Sequence, residues 1–234
     1  QGGIISERRV SPAELADGKP DFIQRESSKN EGDFKEAGSG DLVRALAAGR
    51  VVIAFTNAPL PSVWPDMPRY ETNGTIRSIT GQLQWTVLGA QKGFVTINTP
   101  GTQAAVGFLP PEPIVLDNVT FTPATPFCGL YLTSLDRKNG IAESKRCLLA
   151  AMARVRNTGM KFNDAMTELL AVGKAPLLIE PVNATVAITN RAIASVELLD
   201  HSGLRTGTML PVTNSTFKID GTRDRTMYYE VVFE

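Results

Sequence analysis

An antiparallel β-sandwich, mainly all-β with one or two short helices, is the fold this sequence predicts, and three observations predict it. Period-two alternation recurs: Leu83, Trp85 and Val87 oppose Gln82, Gln84 and Thr86, while Val119 and Phe121 oppose Asn118, Thr120 and Thr122. Gly, Pro and Asn punctuate the apolar runs, leaving room for about ten to twelve short strands. The stretch 127–160 holds two apolar runs, 128–135 and 147–155, around a polar connection containing Asp136, Lys138, Asn139 and Gly140. Both runs are poor in charge, as buried central strands are, and Asn-Gly between apolar runs is a hairpin signal because both residues tolerate positive φ.

Residues 1–41 carry fifteen charges of both signs without sustained periodicity. They predict a linker or extended segment, with at most a short helix where Ser11 caps and Pro12 opens the first turn. Asp41 to Ala48 predicts a helical turn ended by Gly49, and Val51 to Phe55 a short strand. The segment 57–74 has four prolines in eighteen residues, which excludes a central strand and predicts an ordered loop. Further strands follow at Val95 and Ile97, at 104–109 before Pro110-Pro111, at 177–180, and at 184–189 after a bend at Pro181. The exception is 162–172, where Phe162, Ala165, Met166, Leu169 and Leu170 lie at helical spacing behind Asn163 as a cap. The last strands are expected at 196–198, 208–212, 216–219 and 227–233, with a turn over Asp200 to Gly203. The organisation expected is 1–41 as linker, 42–190 as the main sandwich, and 191–234 as strands of the same or a second small sandwich.

Composition bounds the function. Hydrophobic residues make up 42% and charged residues 21%, the profile of an ordinary globular chain. Lysine plus arginine and aspartate plus glutamate number 24 each, so no basic footprint for nucleic acid exists. No apolar run reaches the ~18 residues of a membrane span. The chain begins at Gln1, as a mature product or an excised fragment would. Cys128 and Cys147 flank the Asn139-Gly140 connection. They either face each other and bridge in an oxidising compartment, or serve as small buried apolar residues. A metal centre or cofactor is not expected, since His201 is the only histidine and no cysteine pair has ligand spacing.

The candidate binding residues sit on the proline-rich loop: Trp64, Asp66, Arg69, Tyr70 and Glu71. Trp64 and Tyr70 offer flat faces for sugar rings, and the three charged side chains offer hydrogen bonds to hydroxyls. The competing reading makes Trp64 a plug under its own loop. Glycosidases use paired carboxylates, and Asp66 with Glu71, or Asp136 with Glu143, are the sequence-adjacent pairs. Glu143, Lys145 and Arg146 read as a solvated edge that discourages foreign strand pairing. Trp85, on an alternating strand, is expected in the core. His201 lies beside Asp200 without a Ser or Cys nucleophile motif, so no triad is expected.

Several phrases carry a resemblance. They are Arg77-Ser78-Ile79-Thr80-Gly81-Gln82-Leu83-Gln84-Trp85, Val95-Thr96-Ile97-Asn98-Thr99-Pro100 with Gln103 to Phe108, and Leu132-Thr133-Ser134-Leu135-Asp136. With them go Ala142 to Arg146, Asn157 to Met160, and Ala175 to Val182. Together they resemble the C-terminal β-sandwich region of large bacterial glycoside hydrolases whose catalytic part is an upstream (β/α)8 barrel. The likeness spans about half of the chain, residues 75 to 190, and carries no catalytic residue. A barrel takes about 250 residues of alternating strand and helix, which this chain does not hold. The resemblance therefore implies a non-catalytic accessory region. Its partner would be a catalytic barrel of the same protein, with polysaccharide as a further contact, in a secreted, periplasmic or cell-surface setting. Two alternatives stand beside it: an autonomous carbohydrate-binding or adhesion module, and a small β-fold glycosidase or polysaccharide lyase. The accessory reading expects a large exposed apolar patch, the module an exposed aromatic row, and the enzyme two carboxylates converging in a cleft.

Overall fold

The computed structural model describes residues 3–16, 39–63, 65–89 and 92–234. The chain divides into two compact units, Gln1–Ala90 and Gln91–Glu234.

In the first unit, β1 (Ile4–Val10) pairs in parallel with β2 (Arg50–Phe55). A parallel pair needs a crossover, and α1 (Pro12–Ala16) and α2 (Ser39–Ala48) lie within it. A strand thus stands inside the segment expected to be a linker. Its charged centre hid it. Glu7 and Arg9 pair with each other at 2.6 Å, while the Glu7 backbone exchanges two hydrogen bonds with Val63. Ala45 and Ala48 of α2 pack with Met67 and Ile76 in a small core. A meander follows: β3 (Glu71–Thr72), β4 (Thr75–Arg77) and β5 (Leu83–Gly89). The tight turn between β3 and β4 is Asn73-Gly74, with φ of 50° and 74°, the positive values a two-residue hairpin demands. Trp85 is not core: it is 49% exposed, with Leu83 and Val87 also exposed. The reason is the small size of the cover, which buries Ile76 on β4 and leaves the row on β5 open.

The second unit is a two-sheet antiparallel structure. Its strands in chain order are β6 (Lys92–Asn98), β7 (Thr102–Phe108), β8 (Ile114–Val115), β9 (Val119–Pro123), β10 (Phe127–Ser134) and β11 (Arg146–Met152). Then come β12 (Val155–Thr158), β13 (Lys161–Phe162), β14 (Leu169–Ala171), β15 (Lys174–Ile179), β16 (Asn183–Ile188), β17 (Ile193–Leu199) and β18 (Arg205–Met209). The last elements are β19 (Thr216–Asp220), the single helical turn α3 (Gly221–Asp224) and β20 (Tyr228–Phe233). One sheet runs β18-β17-β20-β11-β10-β7-β6, the other β19-β16-β9-β8. Their facing sides interleave: Leu130, Leu132, Leu149, Val196, Tyr229 and Val231 meet Val119, Phe121, Val186, Phe217 and Ile219 in one core. Residues 193–233 supply strands to both sheets.

The central hairpin differs from expectation, and of the two cysteine readings the buried, unbridged one holds. The central hairpin exists as β10 and β11, but an eleven-residue loop joins them, because Ser134 stands opposite Cys147. Gly140 is required for a close approach: a Cβ there would lie 2.7 Å from the Pro100 carbonyl, to which Ile141 also donates its N–H. Cys128 stands opposite Gly107 on β7, so the register separates the two cysteines and both are free thiols. Burial pushes each thiol up to about 11.

The helix expected over 162–172 is instead a ribbon. β12 pairs with β15 and β13 with β14. Asn163 does cap, but it caps a loop: its Oδ1 accepts from the N–H groups of Thr167 and Glu168, and Met166 takes φ 58°. Side-chain competition for backbone donors of this kind favours turns over helix interiors.

Candidate functional site

The best-formed constellation lies on the outer face of the larger sheet in the second unit. Alternation along β11 and β20 sends Cys147, Leu149, Tyr229 and Val231 inward. Arg146, Leu148, Tyr228 and Glu230 therefore point outward. Register then aligns them. Glu230 stands between Leu148 on one side and Glu197 on the other, and Tyr228 stands opposite Leu199. Leu199 in turn stands opposite Arg205.

Two glutamates directly opposite each other on neighbouring strands repel, and here both are nearly buried, Glu230 to 4% exposure and Glu197 to 6%. Arginines hold them. Arg205 donates to Glu230 Oε2 at 2.5 Å and lies 3.6 Å from Glu197 Oε2. Arg146 donates to the other Glu230 oxygen at 3.1 Å, and the Gly207 N–H donates to Glu197 Oε1 at 2.9 Å. An open depression of about 640 Å³ lies over this grid, lined by Leu135, Leu148, Leu199 and Leu204 with His201, Tyr228 and both arginines. Its rim is set by the Asp200 carboxylate, which accepts from the N–H groups of Ser202 and Leu204.

Both carboxylates are held by arginine and backbone donors, with the apolar walls standing beside them. Sequence reasoning missed both glutamates. The available signal was a charged residue in mid-strand, in Val196-Glu197-Leu198-Leu199 and Tyr229-Glu230-Val231, where glutamate is disfavoured unless paired.

The residues singled out beforehand fall elsewhere, in the first unit. Trp64 lies outside the described residues. Asp66, just before a 3-10 turn, and Arg69, its last residue, are exposed, while Met67 anchors that turn in the small core. Tyr70 is half-buried against that core, donating its N–H to the Met67 carbonyl at 2.9 Å. Glu71 pairs with Arg44 of α2. Asp136 and Glu143 serve their own loop in the second unit. Asp136 accepts from the Lys138 N–H and the Asn139 amide, and these hydrogen bonds hold its carboxyl below the usual range. Glu143 accepts from the Gly140 N–H at 3.3 Å.

Among the described residues no group of three His, Cys, Asp or Glu could hold a metal ion, and no helix is long and apolar enough to cross a membrane. No family model, curated protein or solved structure matches the chain.

Proposed function

We propose that this chain is a non-catalytic accessory β-sandwich region of a carbohydrate-active enzyme, a glycoside hydrolase, and that it supports the catalytic domain of that enzyme. One observation carries the reading: the ribbon over residues 155–179 exposes Val155, Met166, Leu169, Leu170, Val172, Leu177, Leu178 and Ile179. Isolated two-stranded ribbons are marginal in water, so a ribbon this apolar calls for a cover. At on the order of 100 Å² each, eight such side chains supply about 800 Å², within the range of interfaces between domains of one chain. The ribbon's charges, Arg156, Lys161, Asp164, Glu168 and Lys174, nearly cancel, which suits a folded domain with an apolar face better than a polyanion.

The test uses the parent enzyme with a protease site placed between the catalytic domain and this chain. After cleavage the two parts should stay associated on gel filtration. The double substitution Leu177→Asp with Leu178→Asp should separate them and lower the melting temperature of the catalytic part. Continued association of the double variant would overturn the docking role.

A second reading, an autonomous carbohydrate-binding module, is favoured by the exposed row Leu83, Trp85 and Val87. It expects the isolated chain to be retained on a polysaccharide gel and the Trp85→Ala variant to run through.

A further inference from the structure

We propose that the cavity over Glu197 and Glu230 is a binding site for a neutral saccharide. The proposal gives the carbohydrate contact a place in the fold, and its geometry stands whether or not the ribbon docks. Four features of the site select this ligand class.

The first is size. About 640 Å³ lies within the ~300–1,000 Å³ of small-molecule pockets, in a depression that is open to solvent on one side. The second is charge. Arg146 and Arg205 are both matched by Glu197 and Glu230. An added anion would face two nearly buried carboxylates, and an added cation would have to displace an arginine.

The third feature is the mixture of surfaces. A guanidinium has five N–H donors; the pairing with glutamate uses one nitrogen of Arg146 and two of Arg205. The remaining donors belong to side chains that line the cavity, alongside His201 and Tyr228. Leu148, Leu199, Leu204 and the Tyr228 ring supply the apolar side. A pyranoside presents this combination, an apolar C–H face and a rim of hydroxyls that both donate and accept.

The fourth is preorganisation. The arginines are fixed by carboxylates on neighbouring strands, and the Asp200 carboxylate pins the loop bearing His201. Little side-chain entropy remains to be lost when a ligand enters.

The experiment is a methyl-resolved NMR titration of the full 234-residue chain. The probes are methyl β-glucopyranoside, methyl β-galactopyranoside and cellobiose, with glucuronate and glucosamine as charged controls. At least one neutral probe should give saturable shifts at the methyls of Leu148, Leu199 and Leu204. Arg146→Ala should weaken that binding about tenfold, the loss of one charge-assisted hydrogen bond. His201→Ala, on an exposed turn where folding is not at stake, should weaken it by a smaller factor. Leu177→Asp on the ribbon should leave it unchanged, so failure here and failure of the docking reading are separate results. The absence of saturable shifts at tens of millimolar sugar would overturn the proposal. So would tighter binding of either charged control, or full binding by both the Arg146→Ala and His201→Ala variants.

Discussion

The strands β10 and β11 and the ribbon that follows them are built from the same amino acids and meet opposite fates. Leu130, Leu132 and Leu149 are wholly buried, whereas Leu177 is 65% exposed and every residue of β15 lies open. The difference is in what stands opposite each face. β10 and β11 have neighbours at both edges and the smaller sheet across the core. β12 and β15 have only each other. Apolarity therefore identifies segments that will be covered, without saying by what.

Substitutions at matched positions break or sharpen that contrast. The largest effect is expected from a buried charge. Leu132→Asp places an uncompensated carboxylate in the core at a cost of several kcal/mol, a large share of a typical ~5–15 kcal/mol of stability. It should yield insoluble or non-cooperatively melting protein, while Leu177→Asp should express and melt like the parent. Equal behaviour of the two would erase the distinction.

Truncation comes next. Leu130→Ala should cost about 2–5 kcal/mol in denaturant unfolding, against less than ~0.5 kcal/mol for Leu178→Ala. A smaller contrast concerns hydroxyls. Tyr229 donates to Asp224 Oδ2 at 3.1 Å from a buried ring, and Thr158 donates to the Pro176 carbonyl at 2.8 Å on the ribbon. Tyr229→Phe should lose about 1 kcal/mol, and Thr158→Val an amount near zero by the same measurement.

The last contrast is a pH dependence. Burial raises the thiols of Cys128 and Cys147 from the ordinary 9.0 to about 11. Between these values the unfolded chain releases protons that the native state keeps. Their contribution is thus complete below about 9 and lost as pH rises to about 11. The melting temperature should fall less steeply across that window in a Cys128→Ala, Cys147→Ala double variant. Both native thiols should also resist alkylation at pH 8.

The sequence made the sandwich legible because its signal is local: period-two alternation survives whatever the strands pair with. Pairing was harder to see. Asn73-Gly74 and Asn139-Gly140 are the same dipeptide, yet the first makes a two-residue turn and the second lies in a long loop pressed against Pro100. Only the register of the flanking strands tells them apart. The stripe from Phe162 to Leu170 fits a helix equally well until Asn163 takes the backbone donors of Thr167 and Glu168 for a loop. The cavity was invisible for a different reason. Glu197 and Glu230 stand 33 positions apart in the chain, and they become neighbours only when β17 pairs with β20. Trp85 misled because alternation says which side chains share a face, not whether that face is covered.

The ribbon holds one proline, Pro176, within β15. A strand with a free rim is ordinarily a template on which further chains can add, hydrogen bond by hydrogen bond, until fibrils form. Proline has no N–H to offer such a recruit, and an edge is the place in a sheet that accepts it. Concentrated stocks of this chain should therefore associate reversibly through side chains, while Pro176→Val should seed irreversible, thioflavin-positive aggregation. Pro176 leaves the ribbon a face to be covered and denies it the role of a pattern to be copied.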